Sequence, residues 1–408
     1  MQKEIEIKPK KPKLAYVGMD KKTLAEAVPT QVVEVVYPSK ALADKEESQA
    51  KLYEQGQLGT GKVTKSSDLP KNRLIWTNDN LVALKTLLDE KNPVSGEYRY
   101  RNKIDLIYID PPFMVQNDFV AENSIDIEVD EEEGVMSVKE PTIIETIAYK
   151  DTWQNGLDSF LQMMRERLLL MKELLAPTGS IYVHLDWHTS HYVKVLMDEV
   201  FDYPNFCNEV VWYYWNKFQM RDMGSYARNH DVLLWYAKNK GGHFFTPQAQ
   251  PLDRPKKLKR IYWDKEKGRI QNIKDESGKV VYGDVYDEKV DDVWDIPYLG
   301  TTSQERNNFP TQKPLELMLR VIKSGCPPNG LVLDAFMGSG TICEAAEQLA
   351  DKLNCSWIGI DNSKFAVHTA RKRLIELNGK PKEKKGEGVY KVRPFTVENM
   401  GYYQRGVK

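Results

Sequence analysis

The 408-residue chain is poor in most of the features that would narrow its class at once. It has four cysteines, Cys207, Cys326, Cys343 and Cys355, and no two of them form a Cys-x-x-Cys pair. That argues against a disulfide framework or a cysteine-built zinc site and reads as reduced, intracellular thiols. Neither sign of charge dominates: 58 Lys and Arg stand against 59 Asp and Glu, a formal net charge of −1. A global basic signature is missing, so any surface for a polyanion has to come from charge segregation. No run approaches the ~18 consecutive apolar residues of a membrane span. The N-terminal "MQKEIEIKPKKPK" lacks the apolar centre of a signal peptide. The expectation is a cytoplasmic chain without a membrane partner. What is present is a hydrophobic fraction of 41% and a charged fraction of 29%, the balance of a soluble globular protein. The length allows a large core divided among more than one domain.

Texture divides the chain. Residues 1–70 are Lys-rich and weakly periodic, an extension whose best helix is "ADKEESQAKLYEQG". Over 71–240 strands and helices alternate: "NRLIWTN", "LVALKTLLDE", "KIDLIYID", "SIYVHLD", a helix near 188–201, "NEVVWYYW" and "HDVLLWYAK". Leu157, Phe160, Leu161, Met164, Leu168, Met171 and Leu175 recur at helical spacing, and "APTG" stops that helix. An acidic insertion occupies about 118–147. Residues 241–309 change to basic and Gly- and Tyr-bearing short strands, a small separate module. The β/α texture returns over 310–378, with helices at 314–325, 340–352 and 363–377 around "GLVLDAF" and "SWIGID". Residues 379–408 are a tail. Strands alternating with helices predict an α/β fold with a parallel sheet covered on both faces.

Two strand ends carry chemistry. The first is "LVLDAFMGSGTICEAA", residues 331–346: a strand, a glycine-rich turn and a helix start. Such a turn lets a ligand approach the backbone, and the helix N-terminus offers N–H groups to an anion. A dinucleotide fingerprint needs glycine at 343, where Cys343 stands, so a nicotinamide or flavin reading weakens. Asp334 lies before the turn, placed for a ligand's ammonium group. Asp361 ends the next strand about 20 residues on, the place of an acidic partner for ribose hydroxyls. A ligand with an amino-acid end and a nucleoside end fits both: S-adenosyl-L-methionine. The second strand end is "DLIYIDPPFM", residues 105–114, a buried strand that stops on Asp110 and runs into two prolines and an aromatic. Alone, it reads equally as a strand end with a proline turn.

Together "DAFMGSGT", "DPPF", "FPTQKPLELM" and "NHDVLLWYAKN" resemble the amino-methylating DNA methyltransferases of the adenine-N6 type. The likeness covers roughly 71–240 and 310–378. Its order of catalytic motif, variable module and cofactor motif resembles the β-class arrangement. The entry "NRLIWTNDNLVALKTLL" is similar to the modification subunits of type III restriction systems. The resemblance implies a Rossmann-like methyltransferase fold in circularly permuted order, with 241–309 as target-recognition module. It also implies that "LVLDAF" and "DLIYID" are adjacent central strands. Double-stranded DNA is then the substrate, and a second copy of the chain and a restriction subunit are candidate partners.

On that reading the carboxylate of Asp110 and the carbonyl of Pro111 accept the two N–H bonds of an adenine amine. This localises a lone pair otherwise delocalised into the ring. Pro111 and Pro112 fix φ and remove competing donors, and Phe113 offers a face to a flipped base. Asp334, Phe336, Gly338, Ser339, Gly340, Thr341 and Asp361 form the cofactor set. Asp79 and Asn80 could line an adenine pocket, although an N-cap explains Asp79 as well. The resemblance brings Thr311 and Lys313 toward the methionyl carboxylate or the DNA.

Other stretches carry competing readings. "GQLGTGKV" nearly spells a P-loop, but Val63 stands where Ser or Thr must bind Mg²⁺, and a loop is the better reading. His184, His188 and His191 have metal-like spacing, yet this methyl transfer needs no metal, and none is expected. For His230 and Asp231 a structural and a base-facing role stay open. Lys256, Lys257, Lys259 and Arg260, with Tyr262 and Trp263 nearby, read as a DNA-backbone patch or as a solvated face. The acidic run 128–133 should point away from phosphates. Cytosine-N4 methylation and a non-catalytic DNA-binding subunit remain as alternatives.

Overall fold

The computed structural model describes residues 26–38, 69–113, 119–124, 143–149, 156–217, 224–300, 302–307, 309–382 and 388–400. The helix expected in the N-terminal extension, the P-loop-like stretch and the acidic run 128–133 lie outside the described residues.

In chain order the first half contains β1 (Gln31–Val36), β2 (Asn72–Trp76), α1 (Asn80–Asp89), β3 (Ile104–Ile109), β4 (Phe119–Ser124) and β5 (Ile143–Tyr149). It continues with α2 (Gly156–Leu174), β6 (Leu175–Leu185), α3 (Ser190–Phe201), β7 (Phe206–Tyr213) and β8 (His230–Ala237). A middle stretch holds β9 (Ala249–Lys259), β10 (Ile261–Asp264), β11 (Arg269–Asn272), β12 (Tyr282–Lys289) and β13 (Val293–Asp295). The last part is α4 (Leu315–Gly325), β14 (Leu331–Asp334), α5 (Thr341–Gln348), α6 (Ala350–Leu353), β15 (Ser356–Asp361), α7 (Lys364–Leu377) and β16 (Phe395–Asn399).

One ten-stranded sheet carries the fold, in the order β1-β16-β2-β15-β14-β3-β6-β8-β7-β13. From β16 to β6 every pair is parallel, and β8 runs antiparallel between β6 and β7. Parallel strands covered on both faces need apolar residues on both, and "IDLIYI" supplies them. Ile107 and Ile109 enter a core shared with α1, α2 and α3, while Leu106 and Tyr108 enter the opposite core with α4, α5 and α7. In α2 the expected stripe is buried: Phe160, Met164, Leu168 and Met171 are inaccessible to solvent. Each such side chain contributes about 1.5–3 kcal/mol by leaving water.

The two motif strands are neighbours, as the resemblance implied: β14 pairs with β3 through Val332↔Leu106 and Leu333↔Ile107. From β14 the chain moves outward to β15, and from β3 it moves the other way to β6. This is the topological switch point at which open α/β sheets bind ligands, beyond the C-terminal strand ends. Chain order is therefore irrelevant to where the two loops meet.

Some boundaries differ from the sequence reading. Helix α2 stops before "APTG", but the chain joins the sheet at once: Leu175 pairs with Ile104, and the register shifts before Ser180 meets Leu106. The helix expected over 340–352 is broken at Leu349 into α5 and α6. The flanks of the acidic insertion, β4 and β5, pair antiparallel. Strands β9–β12 form two separate two-stranded sheets, β9 with β12 and β10 with β11. The chain then returns to the main sheet, where β13 pairs with β7. Among the described residues no helix is long and apolar enough to cross a membrane.

Candidate active site

Asp110 follows the last residue of β3, so its side chain stands at the switch point. Its Oδ2 accepts from Lys313 Nζ in an ion pair. Its Oδ1 is buried and has no hydrogen-bond partner among the described residues. Lys313 comes from the "PTQKP" segment that leads into α4, and its ammonium also sits over the Phe113 ring, 5.3 Å from the centroid. Pro111 is buried; Pro112 and Phe113 are half-buried.

Beneath Phe113 lies a buried polar chain. The His184 ring is 5.9 Å from that of Phe113 and tilted by 32°. Tyr108 Oη is 2.8 Å from His184 Nδ1, and His184 Nε2 is 3.2 Å from Asp231 Oδ2. Tyr214 Oη donates to Asp231 Oδ1 at 3.0 Å. A neutral ring with its proton on Nε2 satisfies both contacts, accepting from Tyr108 and donating to Asp231. Burial, reinforced by the carboxylates of Asp110, Asp334 and Asp231, pushes the Tyr108 hydroxyl well up. Burial would also raise Asp231, but His184, Lys313 and Tyr214 together hold it below the usual carboxylate range. Asp231 is thus an internal anchor, while His230 is exposed. His188 pairs instead with Asp186, Nδ1 to Oδ2 at 2.6 Å. No group of three His, Cys, Asp or Glu among the described residues could hold a metal.

The other wall is the glycine loop. Asp334 is buried at the end of β14, and its Oδ1 accepts from the Phe336 N–H at 2.9 Å. Burial, with Asp110 and Asp361 adding repulsion, pushes its carboxyl well above the usual range. Asp361 takes the Gly338 N–H on Oδ2 and the Ser363 N–H on Oδ1, both at 2.8 Å. Burial pushes its pKa up to about 6. Gly338 and Gly340 have φ of +53° and +74°, the left-handed region that suits glycine. A Cβ on Gly340 would lie 2.6 Å from that of Ala370, so α7 packs against bare backbone here. Ser339 Oγ and Thr341 Oγ1 accept from Arg373 Nη1 at 3.2 and 2.9 Å.

Asp79 caps α1, accepting from the Leu81 N–H at 2.9 Å, so the capping role holds. It also accepts from Arg167 Nη2 at 2.5 Å, and Arg167 Nε donates to Asn80 Oδ1 at 2.5 Å. Asn80 Nδ2 donates to the Ala335 carbonyl at 2.7 Å. One continuous cleft is lined by Asp79, Asn80, Asp110, Pro111, Pro112, Phe113, Thr311, Lys313, Asp334, Phe336, Gly338, Ser339, Thr341 and Asp361. Gly340 does not line it; it supports the turn from behind.

The model of the N6/N4 DNA methylase family matches residues 104–372, well over half of the chain. The chain belongs to that family. The type II methyltransferase M.EcaI of Enterobacter cloacae is 26% identical over 369 residues, covering 78% of this chain and 72% of the relative. The Haemophilus influenzae protein named "Probable type III restriction-modification enzyme HindVI Mod subunit" is 30% identical over 156 residues, 38% of this chain and 16% of the relative. Among solved structures, the M1.HpyAVI–SAM complex is 19% identical and covers 74% of this chain and 98% of its own, with a TM-score of 0.42.

The methyl donor of this DNA methylase family is S-adenosyl-L-methionine, and it is the cofactor here. The residues present fit it. Asp79, Asp110, Asp334 and Asp361 line the cleft against two cations, Arg167 and Lys313, which suits a ligand bearing a sulfonium and an ammonium. Gly338 keeps the loop free of a side chain where a ligand must approach, and the unpartnered Oδ1 of Asp110 is an acceptor in need of a donor.

The four basic residues singled out in the middle stretch lie elsewhere, on and just after β9. Lys256 donates to Glu288 at 2.7 Å, and Lys257 stands opposite Asp284 in the β9–β12 register. Alternation along a strand sends Lys257 and Lys259 to one face and Lys256 to the other. Tyr262 and Trp263 are exposed on β10.

Sequence reasoning passes over Arg167 and Arg373. Both are buried, and the signal was available: each is a charged residue at helical spacing on an apolar stripe. Arg167 falls three residues after Met164, and Arg373 three after Ala370. Arg373 also bonds Glu344 on α5 and lies 3.7 Å from Glu305.

Proposed function

We propose that the chain methylates N6 of adenine at a specific sequence in duplex DNA, acting on a base turned out of the helix. The observation that carries this reading is Asp110: an aspartate at the switch point, beside two prolines and an aromatic ring, with one carboxylate oxygen lacking a donor. Cytosine-N4 relatives more often begin this motif with serine, and the aspartate favours adenine.

The cofactor supplies an electrophilic methyl group on sulfur. The chain has to make a poor nucleophile attack it. Asp110 and the Pro111 carbonyl accept the two N–H bonds of the amine, which localises its lone pair; the carboxylate offsets the positive charge that develops on nitrogen and accepts the proton that the methylated nitrogen sheds. Phe113 stacks on the base, held from below by His184. Asp334 binds the ammonium of the cofactor and Asp361 its ribose hydroxyls. With the leaving group already good, positioning and electrostatics supply most of the acceleration.

Residues 241–309 read the target sequence, and Lys257 and Lys259, which share one face of β9, contact backbone phosphates. The likeness to a Mod subunit supports a restriction subunit as a further partner; a second copy of the chain as the assembly rests on the family resemblance of the motifs alone. The test is expression in a host lacking DNA methylation, followed by sequencing for modified bases. One motif carrying N6-methyladenine is expected. N4-methylcytosine at that motif would overturn the choice of base, and unmodified DNA from a soluble protein that binds cofactor would make it a non-catalytic subunit.

A further inference from the structure

Lys313 stands where two other partners are needed. It holds Oδ2 of Asp110 and lies over the Phe113 ring, the two groups that a target base must meet. Left there, its positive charge would oppose the charge that develops on the attacking nitrogen. The other cation of the cleft is committed: Arg167 donates to Asn80, Asp79 and the Met163 carbonyl. Among the described residues the only side-chain hydrogen bond of Lys313 goes to Asp110. Lysine is a compact charge on a flexible stem with three donors, able to change partner by rotamer alone. Its charge also acts on Asp334, the strand end that faces the amino-acid part of the ligand.

We propose that Lys313 is a two-position cation: it pairs with Asp110 while the cofactor is absent, and moves to the carboxylate of the cofactor's amino-acid end when the cofactor binds. Asp110 is then released to the amine of the base only in a cleft that already holds a methyl donor. The exchange breaks one ion pair and makes another, with no net change in charge. Lys313 is a positioning residue for Asp110. The proposal rests on the adenine reading for its consequence but not for its measurement.

Calorimetry without DNA tests it, using S-adenosyl-L-homocysteine and 5′-methylthioadenosine. Both carry the nucleoside and the thioether, and the second lacks the amino-acid end. Lys313→Met should weaken S-adenosyl-L-homocysteine by about 10-fold, the scale of one charge-assisted contact, and leave 5′-methylthioadenosine unchanged. Asp110→Asn should act in the opposite sense, tightening S-adenosyl-L-homocysteine several-fold because Lys313 no longer has a competing anion. That gain should vanish in the double variant. Equal losses for both ligands in Lys313→Met, or no gain in Asp110→Asn, would overturn the proposal. The Asp110→Asn arm decides alone should Lys313→Met fail to fold. A failure of the adenine reading would appear separately, as absent N6-methyladenine with these binding differences intact.

Discussion

Asn80 donates from Nδ2 to the carbonyl of Ala335 at 2.7 Å, across 255 residues of sequence. The bond ties the first turn of α1 to the start of the glycine loop, and Arg167 braces it from α2 through Asn80 Oδ1. This wall of the cleft is therefore built by both halves of the core. Arg167→Ala should leave Asn80 and the cap at Asp79 without their brace, costing about 1–3 kcal/mol of stability and weakening the cofactor. Denaturant unfolding and calorimetry check the two effects. Unchanged cofactor affinity would confine Arg167 to a structural role.

Asp361 gives a pH dependence whose sign is fixed. Burial raises its folded pKa to about 6 from the ordinary 3.8. Its ionised form is therefore the costly one: the cost is absent below 3.8, grows as pH rises between the two values, and is full above about 6. A ligand whose ribose hydroxyls donate to the carboxylate offsets that cost only when Asp361 is ionised. Affinity for S-adenosyl-L-homocysteine should fall as pH drops through about 6. Asp361→Asn should remove that step, and a step that persists unchanged would take Asp361 out of the site.

Asp110 and Phe113 should separate kinetically. Asp110→Asn keeps the shape of the pocket but replaces an anionic acceptor by a weaker one. Turnover should collapse while DNA and cofactor still bind, as for an interaction made chiefly in the transition state. Phe113→Ala removes a stacking face worth ~1–3 kcal/mol, so the flipped population should fall while part of the chemistry survives. Near-normal turnover in Asp110→Asn would reduce "DPPF" to a turn. For Phe113, 2-aminopurine at the target position reports the flipped state.

Much of this was legible in the chain. The strands β3 and β14 announce themselves as apolar runs that end on aspartate, and α2 shows its buried stripe at a spacing no strand can mimic. Asp79 reads as a cap because capping is local. Contacts between distant segments are not written in any window: Asp110 with Lys313, Asn80 with Ala335, Arg373 with the loop hydroxyls. Each is set by which strands pair. The entry into β6 was hidden because "APTG" looks like a terminator whether the next residues are loop or edge of a sheet. Strand β13, three residues long, is too short to carry a period.

His184 offers a further test. It is fully buried with both ring nitrogens engaged. His184→Ala should leave Asp231 short of a donor and Phe113 without its support, at a cost of about 1–3 kcal/mol. Stability and the 2-aminopurine signal should fall together, with cofactor affinity nearly kept. A variant that loses stability alone would show that His184 does not position Phe113.

The proposed recognition role of the middle stretch can be tested by where that stretch is cut. The small sheets of β9–β12 end at Lys289, and the chain rejoins the core at Val293, where Trp294 is buried. Phe309 stacks on Phe365 at 5.8 Å and lines the cleft. Exchanging 249–289 for the matching segment of a relative should therefore redirect the methylated sequence while leaving stability and cofactor affinity close to the parent. Exchanging 241–309 removes β13 and Phe309 as well, and should lower the melting temperature and weaken the cofactor whatever it does to sequence choice. Sequencing of methylated DNA, thermal unfolding and calorimetry on the two chimaeras read this directly. If the shorter exchange leaves the methylated sequence unchanged in a stable, active enzyme, readout lies outside 249–289, and the basic residues of β9 are an ordinary solvated face.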